Sequence, residues 1–221
     1  MKKGLTEIVC VLDRSGSMAP FQVETITKFN NFVEEQKKVP GEALVTVVLF
    51  DDNFETLRSG IPIKDLPALS NKEYYARGWT CLNDAVGKTI NEVGGRLNAM
   101  AEADRPEKVI FVVITDGQEN SSKEFPGEDG RKRVRAMVEH QREKYAWEFL
   151  FLGANMDAVQ VGGLYGVHLN MCANFANTNQ GVSSAYAASG QRVARMRCMA
   201  SQDYAKMDNL DDRVKEKEKE A

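Results

Sequence analysis

The chain has 221 residues, 43% of them apolar, which is enough for one well-buried core and too little for two full domains. Its 29 Lys and Arg against 32 Asp and Glu leave a net charge of −3, so no broad positive field exists to collect phosphate backbones, and nucleic acid is not an expected partner. Nowhere do about 18 apolar residues run together, so no transmembrane helix and no membrane partner are expected.

The chain opens MKKGLTEIVCVLD, an apolar run that carries Glu7, ends on Asp13 and lacks a small-residue cleavage site. It reads as a first strand over residues 8–12 rather than a signal peptide. Residues 21–38 follow as an amphipathic helix. Val23, Ile26, Phe29, Phe32 and Val33 form its apolar side, Pro20 sits at the first turn, and Pro40-Gly41 stops it. Residues 43–50 form a second strand, and the Asp51-Asp52-Asn53 turn leads into a third over 54–63. That hairpin requires one antiparallel edge strand.

Residues 81–103 read as a helix that Gly94-Gly95 could break or bend. A continuous apolar strand over 109–114, a charged helix over 129–145 and another apolar strand over 149–152 come next. Runs of this kind fit strands buried on both faces of a parallel sheet. A short helix over 154–162, a last strand over 165–170 and a terminal helix over 181–200 complete the alternation. The expected fold is a doubly wound, Rossmann-like α/β domain spanning residues 1–200. Its central sheet is mostly parallel with one antiparallel edge strand, and helices cover both faces. Residues 201–221, ending RVKEKEKEA, are expected as a charged tail, either a solvated helix end or disordered.

The four cysteines, Cys10, Cys81, Cys172 and Cys198, show neither zinc-ligand spacing nor the density of a disulfide scaffold. They read as free thiols of a cytoplasmic protein, with Cys10 and Cys81 as buried small hydrophobes.

Strand one runs into Asp13-Arg14-Ser15-Gly16-Ser17-Met18, which brings one carboxylate and two hydroxyls off the sheet on a single turn. Mg²⁺ takes about six oxygens near 2.1 Å, and a compact Asp-x-Ser-x-Ser loop supplies several of them. A helix N-cap would use the same residue types. The strand over 109–114 is followed by Thr115-Asp116-Gly117, a second carboxylate at the carboxyl end of an apolar strand. In a doubly wound sheet these two strands are neighbours at the topological switch point, so Asp13 and Asp116 should converge. Two carboxylates brought together repel, and a cation removes the conflict. A third loop, Gly78-Trp79-Thr80-Cys81-Leu82-Asn83-Asp84-Ala85, sets the Thr80 hydroxyl at a helix start, with Asp84 one turn further on.

These three motifs, in this order, resemble the three loops of a von Willebrand factor A domain, which form that family's metal-ion-dependent adhesion site. The resemblance covers roughly residues 5–170. It implies that Ser15, Ser17 and Thr80 are hydroxyl ligands and that Asp13 and Asp116 are the carboxylates. The cation implied is Mg²⁺, with Mn²⁺ or Ca²⁺ as alternatives, and the partner is a protein that presents an Asp or Glu to it. Trp79 stands where the family often has a small residue, so with Gln118 and Asn120 it is expected at the partner-binding rim.

The competing reading is a metal-dependent phosphohydrolase on the same Asp-rich site. A haloacid-dehalogenase-like phosphatase would carry Asp-x-Asp after strand one, and this chain has Ser15 in place of the second carboxylate. No nucleophile and base pair stands out, so binding is expected and catalysis is not. Val86-Gly87-Lys88-Thr89 mimics the end of a phosphate-binding loop, but Leu82 occupies its first glycine position. Gly162-Gly163-Leu164-Tyr165-Gly166 lacks dinucleotide-loop spacing, and His140 and His168 have no partner at ligand spacing.

Overall fold

The computed structural model describes residues 1–220. Six strands form one sheet in the order β3-β2-β1-β4-β5-β6. They are β1 (Lys2–Asp13), β2 (Glu42–Phe50), β3 (Phe54–Pro62), β4 (Pro106–Thr115), β5 (Glu148–Gly153) and β6 (Cys172–Asn174). All neighbouring pairs are parallel except β2 with β3. The mostly parallel sheet and its single antiparallel edge strand therefore match the expectation. The reason lies in the sequence: β1, β4 and β5 are covered on both faces, and nearly every residue of their central runs is buried and apolar.

Helices α1 (Gln22–Lys38), α2 (Leu82–Ala99), α3 (Gly127–Tyr145), α4 (Ala158–Leu164), α5 (Asn179–Cys198) and α6 (Leu210–Glu220) cover the sheet. Helix α5 packs against α1 and α6, while α3 packs against α2 and α4, so the two faces are served by separate groups. Phe29, Phe32 and Val33 of α1 and Ile90, Val93 and Leu97 of α2 are buried, as their helical spacing requires, whereas Val23, read onto the same apolar side, is exposed in the first turn. Helix α2 runs unbroken through Gly94 and Gly95, because flanking turns packed on the sheet outweigh the weak local propensity of the pair. Among the described residues, no helix is long and apolar enough to cross a membrane.

Three stretches differ from the sequence reading. The helix expected over 81–103 stops at Ala99, ahead of a 3₁₀ turn at Glu102–Asp104. The last strand, expected over 165–170, is instead β6 at Cys172–Asn174. The N–H groups of Tyr165 and Val167 fold back onto Gly162 O at 3.0 Å, which closes α4 and leaves no free ladder until Cys172 pairs with Phe151. The short helix expected over 154–162 begins only at Ala158, where Asp157 accepts from Gln160 N at 3.0 Å as its cap.

The charged tail also contributes to the domain. A 3₁₀ turn at Ser201–Lys206 leads to α6, whose Leu210 and Val214 are fully buried. Asp211 of α6 accepts from Asn174 N at 2.7 Å, which ties the helix to the edge strand β6.

Candidate metal centre

Strands β1 and β4 are parallel neighbours with Leu12 opposite Ile114, so their carboxyl ends release Asp13 and Thr115-Asp116 side by side. Asp13 is 1% exposed. Its Oδ1 accepts from Ser15 N at 2.7 Å and its Oδ2 from Thr115 Oγ1 at 2.5 Å. Ser15 Oγ and Ser17 Oγ are 3.1 Å apart, and Ser17 Oγ donates to Asp116 Oδ1 at 2.7 Å. The first and third loops thus meet in one hydrogen-bonded set of oxygens.

The second loop is held against the first by backbone. Gly16 N donates to Gly78 O at 3.1 Å, and Arg77 N to Arg14 O at 2.9 Å. Gly78 has a φ of +67°, and a Cβ there would stand 2.0 Å from Asp52 Oδ1, so another residue would strain this turn and displace the Asp52 side chain. Two residues on, Thr80 is buried with its Oγ1 against Gly117, where a Cβ would approach it to 2.7 Å. Glycine after Asp116 is what lets the Thr80 hydroxyl reach the third loop.

Asn120 clamps Thr80 from both sides of its peptide, accepting from Thr80 N at 2.8 Å and donating its own N–H to Thr80 O at 3.0 Å. Glu119 accepts from Asn83 N at 2.7 Å in the first turn of α2. Asp84 turns away from the oxygen set. It accepts from Lys123 N, Glu124 N and Phe125 N at 2.8–3.0 Å, so it fastens residues 123–125 to α2. Burial works against its ionisation, but those N–H groups and Lys88 hold Asp84 below the ordinary carboxylate value.

A charged network missed in the sequence supports the loops from beneath. Arg14, 1% exposed, pairs with Asp51 at 2.9 Å and Glu55 at 2.8 Å, and Arg77 shares Asp51 at 2.8 Å. Both guanidiniums lie over the Tyr75 ring. Burial opposes ionisation of Asp51, yet Arg77, Arg14 and the Asn53 N–H keep it below its ordinary value. Tyr74, fully buried, donates from its hydroxyl to Asp13 O at 2.5 Å. One local signal pointed to this network: Asp51 sits at the end of a buried strand beside β1, where a carboxylate needs a cationic partner.

The electrostatics of the oxygen set are those of a site short of positive charge. Burial pushes Asp13 up to about 7, with the nearby Asp116 adding to the shift and bonds from Thr115 and Ser15 opposing it. Burial likewise raises Asp116. Asp116 Oδ2 is buried and makes no hydrogen bond among the described residues. An orphaned carboxylate oxygen facing hydroxyls is a donor set suited to a hard cation. Among the described residues no three His, Cys, Asp or Glu side chains gather to hold a metal, so a cation here would rest on hydroxyls and two carboxylates.

The structure therefore brings Asp13, Ser15, Ser17 and Asp116 into one bonded set and seats Thr80 against Gly117 beside it. Around them Trp79 is 69% exposed, and Gln118 and Asn120 are exposed as well. Lys88 of the phosphate-loop mimic instead pairs with Asp84 and Glu124 at 3.5 Å on the helix surface.

Comparison with protein-family models matches residues 7–146 to the von Willebrand factor type A domain. No curated protein matches the chain. Several solved structures share the fold. The ArnB paralog VWA2 from Sulfolobus acidocaldarius is 14% identical, with a TM-score of 0.51 over 82% of this chain and 44% of that one. The von Willebrand factor type A protein from Catenulispora acidiphila is 14% identical, with a TM-score of 0.53 over 86% of this chain and 42% of that one. Proximal thread matrix protein 1 from the mussel byssus is 15% identical, with a TM-score of 0.55 over 89% of this chain and 47% of that one. The chain spans less than half the length of each of these structures, and at such identities the likeness speaks for the fold alone.

Proposed function

The chain belongs to the von Willebrand factor type A domain family, and on that premise we propose that it is a metal-dependent protein-binding module. Asp13, Ser15, Ser17, Thr80 and Asp116 would hold one divalent cation, Mg²⁺ in the first instance, with Mn²⁺ or Ca²⁺ as substitutes. The observation that carries this reading is Asp116 Oδ2, a buried carboxylate oxygen without a hydrogen-bond partner among the described residues, beside Ser17 and the raised Asp13. When bound, the cation supplies the positive charge that two buried carboxylates and neutral hydroxyls lack, and leaves a place for an acidic side chain of a partner protein.

The residues of the chain supply position and selection. Thr115 and Ser15 N–H orient the Asp13 carboxylate, and Asn120 fixes Thr80. Trp79, Gln118 and Asn120 stand exposed around the oxygens and would select the partner. Binding is favoured over phosphoester hydrolysis because the Ser15, Ser17 and Thr115 hydroxyls are already bonded to one another or to the carboxylates. The cysteines are free, three of them buried, which supports a place in the reducing cytoplasm.

Calorimetric titration with Mg²⁺ tests the site. Wild-type protein should bind one ion and Asp13→Ala none; equal affinity in the two rules out this donor set. Capture of partners from host extract should then disappear in EDTA and return with Mg²⁺. Thr80→Ala should weaken partner capture more than Mg²⁺ affinity, and capture that persists in EDTA would put the partner elsewhere.

A further inference from the structure

Helices α5 and α6 meet in a small cavity of about 250 Å³ lined by Ala188, Gln191, Arg192, Arg195 and Arg213. It lies away from the candidate metal centre: further along α5, Arg197 reaches Gly41 O at the opposite end of the sheet. Three guanidiniums line this cavity and no carboxylate does. Arg192 is 2% exposed.

One carboxylate, Asp208, stands behind all three. It accepts from Arg192 at 3.3 Å and Arg195 at 3.0 Å through Oδ1, and from Arg213 through Oδ2. Arg213 also reaches the exposed Glu216 at 2.8 Å. Among the described residues these three guanidiniums thus pair with two carboxylates, and all three also line the cavity. A guanidinium has five N–H donors. Arg192 spends one on Asp208 O at 2.6 Å and another on the sulfur of Met171 at 3.5 Å, a weak acceptor for a buried cation. Burial lowers the Arg192 pKa; Asp208 opposes the shift, and Arg195 and Arg213 add to it. Three like charges around one shared carboxylate remain undercompensated, and a second anion would relieve them.

We propose that the α5–α6 cavity is a binding site for a tetrahedral oxyanion of the phosphate class, gripped by Arg192, Arg195 and Arg213. Arg forks match phosphate oxygens in pairs, and three forks with the Gln191 amide can serve an anion with three or four acceptor oxygens better than a planar carboxylate with two.

Thermal unfolding of the full chain in EDTA, at constant ionic strength, tests this with inorganic phosphate as the probe. Phosphate should raise Tm along a saturating curve, whereas general exclusion of the salt from the surface gives a rise that does not saturate. Arg195→Gln and Arg213→Gln alter side chains that are each about half exposed, so both variants should fold. Both should lose the saturating component and shift apparent affinity at least tenfold by calorimetry. A rise no greater than in chloride, an unchanged curve in both variants, or an equal rise with acetate would overturn the assignment.

Discussion

The buried Asp13 carboxylate, proposed above as a metal ligand, leads to a prediction that runs against the usual effect of altering such a residue. In metal-free protein its pKa is pushed up to about 7 from an ordinary 3.8, chiefly by burial. A group raised in the folded state gives stability that is fully present below about pH 4 and is lost as pH rises through about 7. The difference between 3.8 and about 7 amounts to roughly 4 kcal/mol at about 1.4 kcal/mol per unit, as an upper bound for a site that can relax. Asp13→Asn removes the charge and keeps the shape. Its Oδ1 still accepts from Ser15 N, and Thr115 Oγ1 can turn its proton to Gly117 O, 3.1 Å away, and accept from the new amide. In EDTA at pH 8 the Asn variant should therefore be more stable than wild type by about 2–4 kcal/mol, or roughly 5–15 °C in Tm for a chain of this size. The difference should close by about pH 4, where the wild-type carboxyl is neutral. Adding Mg²⁺ at about 100 times its Kd should stabilise wild type by about 2.7 kcal/mol and leave the variant unmoved. Scanning fluorimetry from pH 4 to 8.5 reads all of this. An Asn variant less stable than wild type at pH 8 in EDTA would refute the argument that burial, rather than lost bonding, dominates at Asp13.

Three further outcomes follow from particular contacts. Asp84→Ala strips the acceptor from three backbone N–H groups, including the buried Phe125 N, and should cost about 2–5 kcal/mol in urea unfolding; a loss below about 1 kcal/mol would show that residues 123–125 are held by other means. Leu210→Ala, at a fully buried position on α6, should cost about 2–4 kcal/mol in the same cooperative transition as the rest of the domain. A separate early transition for α6 would make the tail an appendage after all. Hydrolysis of a generic phosphoester such as p-nitrophenyl phosphate should stay at background with Mg²⁺ present, and turnover abolished by Asp116→Asn in a folded protein would revive the phosphohydrolase reading.

The sequence alone carried the strands of the sheet centre and the three loops at its rim. Strands β1, β4 and β5 are buried on both faces, so burial writes itself into every residue of the run rather than into every second one. The loop residues Asp13, Ser15, Ser17, Thr80 and Asp116 were legible because each lies a fixed, short distance beyond such a strand or at a helix start, and the pairing of β1 with β4 follows from the doubly wound alternation. What tertiary structure decided are the relations between distant segments. Nothing local marks Tyr74 as the donor to Asp13 O, Asn120 as the clamp on Thr80, or Asp51 as the anion shared by Arg14 and Arg77. Helix α6 is the plainest case. Only Leu210 and Val214 among its 11 residues are buried apolar side chains, too weak a period to rise above the charges around them. Its docking depends on a surface that α5 and β6 assemble from elsewhere in the chain, and on Asp211 finding Asn174. Local periodicity reports which face of a segment avoids water; only the folded chain determines what that face meets.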